Sequence, residues 1–375
     1  MDPILDHIRL KQKQLILFIR ELVECESPSG ETTAIRRFTD LFAERVRDVA
    51  RCRRVRHHLL VEFRLPGRKT KAGRVLGLGH SDTVWPLGTL RSMPFRASDG
   101  RLWGPGVLDM KAGLALFVFA ARALRDLDQP VSRPVSLLVV ADEETGSEDS
   151  RPLTEALARE SAAVLVLEPG AGPAGKLKTA RKGVGDYTLR VTGIAAHAGV
   201  DFERGASAVL ELARQLQRVA ALTDLNRGIT VSPGVISGGT RRNVVPAEAE
   251  AQIDVRVPRL RDAERLDRQL RRLKPFDSRC RIQVEGGLNR PPMERTTAIA
   301  KLFRLAQRLA RDLGVSLEES ATGGGSDGNF TAALGIPTLD GLGAVGEGAH
   351  SRNESVEIGR LADRAALLAH LIRAI

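Results

Sequence analysis

Histidines and acidic residues recur at the ends of apolar stretches and in loops of this sequence, where their side chains could hold metal ions. They are His80, Asp82, Asp109, Glu143, Glu144, Glu168 and His350. Two histidines with several carboxylates and no adjacent cysteine suit a hydrolytic zinc site. Two ions about 3.5–4 Å apart need a bridging carboxylate, a bridging water and an unligated carboxylate to take the water's proton. The adjacent Glu143 and Glu144 can divide ligation and proton transfer because neighbouring side chains point in different directions.

The elements that must position these residues alternate between helix and strand. Nearly continuous apolar strands are expected at 57–65, 74–80, 134–142 and 162–169, and helices at 4–25, 31–48, 110–127 and 296–314. This order predicts an α/β sheet covered by helices on both faces. Ligands bind such sheets at the carboxyl ends of their strands, so we expect the histidines and acids to meet at one edge.

From about residue 184 the pattern changes. Strands and helices follow one another in the order β-α-β-β-α-β up to CRIQVEGG, which is typical of a ferredoxin-like unit. We therefore predict a catalytic α/β domain, a mixed sheet flanked by helices, made of residues 1–182 and 289–375. A ferredoxin-like α+β domain at 183–288 is inserted into it.

The composition of the chain indicates which classes of molecule it could bind. The 375-residue chain carries a formal net charge of +11, but only 4% of its residues are aromatic. Stacking platforms for bases are therefore scarce, and basic runs such as 259–274 interleave arginine with acids, as solvated helix faces do. We expect no nucleic-acid partner. A positive field suits a small anionic substrate equally well.

Export and membrane signals are not recognisable in the sequence. No apolar window approaches the roughly 18–20 residues of a membrane helix, and the first 25 residues lack the pattern of a signal peptide. Cys25, Cys52 and Cys280 are scattered and form no CxxC pair, which argues against disulfides and cysteine-bound zinc. We expect a cytoplasmic protein that does not bind membranes.

Five motifs in order resemble one known family. They are HSDTV (80–84), GPGVLDMKAG (104–113), DEETGS (142–147), LEP (167–169) and GAHSRNE (348–354). They are similar to motifs of the dizinc exopeptidase family of bacterial glutamate carboxypeptidases, aminoacylases and succinyl-diaminopimelate desuccinylases. The resemblance covers nearly the whole chain. It implies a zinc-exopeptidase-like fold, two Zn²⁺ per subunit (Co²⁺ or Mn²⁺ can replace zinc), and a homodimer formed through the inserted dimerisation and lid domain.

The resemblance also implies a role for each motif residue. His80, Asp109 and Glu168 would bind one zinc ion, and Asp109, Glu144 and His350 the other. Asp109 would bridge the ions, and its peptide bond to Met110 would be cis. Glu143 would be the general base and then the acid for the leaving amine. The carboxylate of Asp82 would hold the far ring nitrogen of His80.

The inserted domain and the chain after it add candidate substrate residues by the same resemblance. His197 in GIAAHAG would polarise the scissile carbonyl across the dimer, although a buried histidine after a strand is the alternative. Asn243 in RRNVVP and Arg290 in LNRPPM would bind substrate, Arg290 through its terminal carboxylate. Gly325 belongs to GGGSDGNF, a loop that would line the cleft and that lacks the Lys-Ser/Thr of a phosphate loop. Arg256 in DVRV is a further candidate that could instead pair with a neighbouring acid.

These roles together favour amide hydrolysis by a zinc-bridged hydroxide with release of a C-terminal amino acid from a small peptide or N-acyl-amino acid. Within the family the alternatives are an N-acyl-amino-acid deacylase, a desuccinylase and a dipeptidase. From other classes, a dinucleotide-dependent oxidoreductase would need a GxGxxG turn that neither GLGHSD nor WGPGVLDMKAG supplies. A non-catalytic binding protein is disfavoured because every expected ligand position is filled.

Overall fold

The computed structural model describes residues 2–375. Its α-helices are α1 (Pro3–Leu10), α2 (Gln12–Glu24), α3 (Thr32–Val46), α4 (Ala112–Asp126), α5 (Arg151–Arg159), α6 (Ala208–Ala220), α7 (Leu260–Arg271), α8 (Thr297–Asp312), α9 (Gly328–Ala333) and α10 (Leu361–Ala374). Its strands are β1 (Ala50–Val55), β2 (His58–Phe63), β3 (Arg74–His80), β4 (Arg96–Ser98), β5 (Arg101–Trp103), β6 (Val135–Val140), β7 (Ser161–Val166), β8 (Leu177–Arg181), β9 (Gly183–Thr192), β10 (Ala196–His197), β11 (Thr230–Gly238), β12 (Val244–Val245), β13 (Glu248–Val257), β14 (Arg281–Arg290), β15 (Glu319–Thr322), β16 (Thr338–Leu339), β17 (Gly346–Glu347) and β18 (Ser355–Glu357).

The chain divides into two compact units. The first comprises the chain up to Thr179 together with Arg295–Ala321 and Ser326–Ile375, and the second comprises Ala180–Glu294 and Thr322–Gly325. Among residues 2–375, no helix combines the length and the apolar character needed to cross a bilayer.

A six-stranded mixed sheet organises the first unit. Its strand order is β1-β2-β6-β3-β7-β16, in which β3, β6, β7 and β16 run parallel. At one edge, β2 pairs antiparallel with β6, and β1 pairs antiparallel with β2. All of β6 is buried, and so is β3 beyond its first residue, as strands covered on both faces must be. The predicted α/β class and mixed sheet are therefore confirmed.

Helix α4 crosses one face of this sheet and is buried along nearly its whole length. Its first turn lies against the end of β7, where a β-carbon on Gly113 would stand 2.2 Å from the carbonyl oxygen of Leu167. Glycine at 113 therefore permits an approach that other residues would block. The approach brings the turn before α4, which carries Asp109, beside the strand end that carries Glu168.

One local prediction was wrong, and one edge strand was not predicted. The helix expected at 4–25 is interrupted at Lys11, where α1 ends and α2 begins, because the apolar pattern continues through a break that hydrophobic periodicity does not register. Strand β1 was missed because its sequence, ARCRRV, is mostly basic. After the buried Ala50, its side chains are exposed or half-buried at the edge of the sheet, where charged residues are common.

The second unit is an antiparallel sheet of strand order β11-β13-β9-β14 with helices α6 and α7. Numbered along the unit, these strands lie in the order 2-3-1-4, which is the ferredoxin-like arrangement. Apolar residues from β9, β13, α6 and α7 form one separate core. Strand β11 lies at an edge of the sheet, and β10 pairs with β12 as a short additional ribbon.

Candidate dinuclear metal centre

Asp109 lies between two histidines in the first unit. One of its carboxylate oxygens, Oδ1, is 3.1 Å from Nε2 of His80, and the other, Oδ2, is 3.3 Å from Nε2 of His350. Glu168 Oε1 lies 3.7 Å from the same nitrogen of His80, and Glu144 Oε1 lies 3.0 Å from that of His350. Donor atoms on one tetrahedral zinc ion, at bond lengths of about 2.0–2.2 Å, stand roughly 3.2–3.7 Å apart.

Two groups of possible ligands result, and they share Asp109. The first is His80, Asp109 and Glu168, and the second is Asp109, Glu144 and His350. Within each group, one ligand atom from each residue lies within 4.8 Å of the others. These are the two sets that the motifs predict, and Glu144 rather than Glu143 belongs to the second set.

The hydrogen bonding of His80 leaves one ring nitrogen for a cation. Its Nδ1 lies 2.9 Å from the carbonyl oxygen of Asp82, and because a carbonyl only accepts, Nδ1 carries the proton of the neutral ring. The lone pair on Nε2 then faces the carboxylates of Asp109 and Glu168. A lone pair among carboxylates requires a cation, either a proton or a metal ion, so the donor set fits a divalent metal.

The pKa shifts of the histidines and of Asp109 agree with this need for a cation. Burial opposes the charged form of His80, but Asp109, Asp82 and Glu143 raise its pKa well above the usual range. Hydrogen bonds with Asp109 and Glu144 raise the pKa of His350 to about 10. Asp109 is desolvated, yet the two histidines hold the pKa of its carboxyl below its usual range. Negative charge is therefore concentrated where the two ligand groups meet.

The prediction for Asp82 was wrong in the atom that it assigned. The main-chain carbonyl of Asp82, and not its carboxylate, accepts the hydrogen bond of the His80 ring, while the nearer carboxylate oxygen is 3.6 Å from Nδ1. The carboxylate instead accepts the backbone N–H groups of Glu143 at 3.3 Å and Glu144 at 3.1 Å, and the hydroxyl of Ser29 at 2.9 Å. Asp82 thus holds the turn that carries both glutamates.

The Glu168 strand end has its own support. Gly343 donates its N–H to the carbonyl oxygen of Glu168 at 2.8 Å. The buried Arg364 of α10 binds backbone carbonyls in turn. Its guanidinium donates to the carbonyl oxygens of Gly343 at 2.9 Å and of Gly341 in the same segment, and to that of Gly175 at 3.0 Å. A buried guanidinium without these acceptors would be costly.

Two structural details of the centre concern backbone geometry. The Asp109–Met110 peptide bond is cis, as expected, and His350 has a φ of 61°. Positive φ is uncommon for residues other than glycine and occurs more often at functional sites.

The candidate substrate residues lie in the second unit, in two places. His197 and Asn243 are neighbours across the β10–β12 ribbon, where the Ala198 N–H donates to the Asn243 carbonyl at 3.0 Å. Arg290 is buried at the end of β14, and its Cδ would lie 2.9 Å from a β-carbon on Gly325. Glycine at 325 therefore leaves room for the Arg290 side chain.

His197 is exposed, so the alternative of a buried histidine after a strand is wrong. Its Nδ1 accepts the N–H groups of Gly199 and Val200, each at 3.2 Å. The neutral ring consequently carries its proton on Nε2, as a donor.

Arg256 forms two-pronged hydrogen bonds with Asp254, at 2.7–3.0 Å. It pairs with a neighbouring acid, and we do not retain it as a substrate residue.

Sequence reasoning missed several residues that position the centre. Ser29 binds Asp82, which lies 53 residues later in the chain, and Glu354 binds the backbone of Asp109, which lies 245 residues earlier. Ser29 lies in SPSGE, which reads as an ordinary turn before a helix. Glu354 had a usable signal, because it closes the same GAHSRNE motif that supplies His350.

The fold and the two ligand groups that share Asp109 fit a hydrolase whose residues could hold metal ions. The profile of peptidase family M20/M25/M40 matches residues 77–374. The chain belongs to this family and is a hydrolytic enzyme of peptidase or desuccinylase type, which sets aside the oxidoreductase alternative.

Individual relatives agree with this assignment. Carboxypeptidase G2 of Pseudomonas sp. (strain RS-16) is 28% identical over 372 residues, covering 96% of this chain and 89% of that protein. Succinyl-diaminopimelate desuccinylase of Cereibacter sphaeroides (strain KD131 / KCTC 12085) is 28% identical over 339 residues, covering 82% of this chain and 84% of that protein. The Bacillus subtilis YXEP protein, described as a dinuclear metal binding peptidase from the M20 family, has the same fold, with a TM-score of 0.72, 15% identity and 98% of each chain covered.

Proposed function

We propose that this protein is a dinuclear zinc carboxypeptidase that hydrolyses an amide bond and releases a C-terminal amino acid such as glutamate. The observation that carries the proposal is Asp109, whose two carboxylate oxygens each face a different histidine within two ligand groups. His80, Asp109 and Glu168 would hold one ion, and Asp109, Glu144 and His350 the other. Bound metal ions would lower the pKa of water and polarise the substrate carbonyl.

Proton transfer falls to Glu143 in this proposal. Its backbone is fixed by the Asp82 carboxylate, and its neighbour Glu144 takes the ligand position. The Glu143 carboxylate accepts a proton from the attacking water and then donates it to the departing nitrogen, so that the C–N bond breaks with a neutral amine as the leaving group. The same carboxylate is regenerated at the end of each turnover.

Two residues of the second unit would orient the substrate. Arg290 would bind its terminal carboxylate, for which the planar guanidinium of arginine is suited, and Asn243 would add a hydrogen bond. His197 would donate its Nε2 proton to the carbonyl oxygen of the scissile bond as negative charge develops there. Gly325 leaves room for the Arg290 side chain, on which this role depends.

The reaction class and the substrate are tested with one panel of folates, N-acyl-glutamates, N-succinyl-diaminopimelate and dipeptides. We expect fastest release of a C-terminal glutamate, loss of activity with a chelator and recovery with added zinc. The desuccinylase alternative, supported by the similarity to the Cereibacter enzyme, would be established by preferred cleavage of the succinyl substrate. A chain that holds two metal ions yet cleaves none of these amides would contradict the proposed reaction.

We further propose a homodimer formed through the second unit. Strand β11 is an edge strand, and it exposes Val235 and Ile236, while Leu210 of α6 is also exposed. Unpaired edge strands that carry apolar side chains favour pairing with a second chain. The His197 that serves one active site would come from the second subunit.

Replacing Ile236 with lysine is expected to halve the particle mass in sedimentation and to remove most activity, because a charge on an edge strand opposes pairing. Ile236 is 60% exposed, so the subunit itself should still fold. Leu225→Lys, at a 76% exposed position of the same unit, is the matched control and should remain dimeric and active. A fully active monomer would disprove the shared site.

A further inference from the structure

Glu354 is a fully buried acid that the proposed chemistry does not use. It lies four residues after the ligand His350, at the close of the turn that carries this histidine, and its exposed fraction is 0%. A carboxylate in such a place is costly unless protein donors replace the water that it has lost.

Four N–H donors surround this carboxylate. Oε1 accepts the backbone N–H groups of Leu108 at 2.9 Å and Asp109 at 3.1 Å. Oε2 accepts the backbone N–H of Gly106 at 3.0 Å and the indole N–H of Trp85 at 2.9 Å. An ionised carboxylate has about four acceptor sites, so its capacity is filled. Hydrogen bonds to a charged acceptor are also stronger than neutral ones.

Three of the four donors belong to the backbone that carries Asp109. The Asp109 N–H is bound to Glu354, whereas the Asp109 side chain points to His80 and His350. One short turn, residues 350–354, therefore supplies a ligand of one group and fixes the backbone of the residue that both groups share.

We propose that Glu354 is a positioning residue for the metal centre. It holds Asp109 so that its two oxygens reach both ions, and it thereby sets the affinity for both. This inference rests on the proposed function, because it requires that Asp109 bridges two metal ions.

Glu354→Gln tests the inference with nearly unchanged volume. The amide must turn its NH₂ group towards one pair of N–H donors, either Leu108 and Asp109 or Gly106 and Trp85. Residues that orient metal ligands typically change affinity by about 10–100-fold when replaced. We expect E354Q to weaken both zinc ions by about that factor in competition with a chromophoric chelator, and to lower kcat at saturating zinc more than it changes KM.

Trp85→Phe is the matched control, and in combination with E354Q it tests the direction in which zinc affinity changes. W85F alone removes one donor and keeps the three backbone donors, so its zinc affinity should fall less than that of E354Q. In the double variant E354Q/W85F, the glutamine NH₂ can face Gly106 with only one opposed donor. The double variant should consequently bind zinc more tightly than E354Q. A role in packing alone predicts the opposite, with the two losses adding.

The outcomes separate this inference from the proposed function. If the wild-type protein binds two zinc ions and E354Q binds them equally tightly, or if the double variant is weaker than E354Q, the inference is overturned and the proposed function stands. If the wild-type protein does not bind two ions, both are overturned. Should E354Q fail to fold, the double variant decides the question. If it binds zinc as tightly as W85F does, the inference is overturned.

Discussion

Replacement of Glu143 with glutamine is expected to lower kcat by roughly 10²–10⁴-fold, the usual contribution of a positioned general acid–base, while two metal ions remain bound. Glutamine keeps the shape of the side chain but cannot accept the proton of the attacking water. Its backbone N–H donates to Asp82, and because the substitution leaves the backbone unchanged, the turn should keep its conformation. Steady-state kinetics together with metal analysis of the same preparation measure both effects.

Glu148→Gln provides the control for this variant. Glu148 is exposed on the same loop, so its replacement removes an equal charge from the neighbourhood and should leave kcat within about twofold, since exposed substitutions of this kind are mild. Normal turnover in E143Q would show that another group moves the proton. Loss of metal in E143Q would instead place Glu143 among the ligands.

Replacement of Asp109 with asparagine is expected to weaken both metal ions and to abolish turnover. The carboxylate faces a histidine with each oxygen, whereas an amide retains only one oxygen and presents NH₂ at the other position. Neutralising the shared ligand also removes negative charge from the point where both groups meet. The amount of zinc bound per chain is measured after dialysis against a series of zinc buffers. Both sites should require a higher zinc concentration for occupancy in the variant than in the wild type.

Variants of the unshared ligands sharpen the Asp109 test. Glu168→Gln should weaken one ion and Glu144→Gln the other, because each glutamate belongs to a single group. Asp312→Asn, at an exposed position at the end of α8, controls for the loss of one negative charge. Two tightly bound ions in D109N would be incompatible with a bridging role for Asp109.

Sequence periodicity was sufficient for the parts of the fold in which each element has a strong pattern of its own. The buried strands β3, β6 and β7 and the helix α4 lie within a few residues of their predicted ranges. Four of the candidate metal ligands could be found because each follows such a strand or precedes this helix, whereas His350 was found through the motif GAHSRNE. Edge strand β1 and the break at Lys11 were missed because neither changes the hydrophobic pattern enough to be seen.

The supporting contacts of the centre were beyond sequence reasoning for a different reason. The hydrogen bond from Ser29 to Asp82 and those from the backbone near Asp109 to Glu354 join segments that are far apart in the chain. Such pairs become neighbours only once the sheet order is known. The contact between the Asp82 carbonyl and His80 could not be predicted either, although the two residues are close in sequence. Residue type alone does not indicate whether the side chain or the backbone makes a contact.

The buried guanidinium of Arg364 links the metal centre to the order in which the chain is synthesised. It binds the carbonyl of Gly175, a residue made 189 positions earlier, as well as those of Gly341 and Gly343 beside Glu168. Until residue 364 has left the ribosome, these carbonyls lack the guanidinium that binds them in the folded chain, and the strand end that carries Glu168 lacks this support. This candidate ligand is therefore encoded before the middle of the gene but gains the support of Arg364 only when the last helix is made.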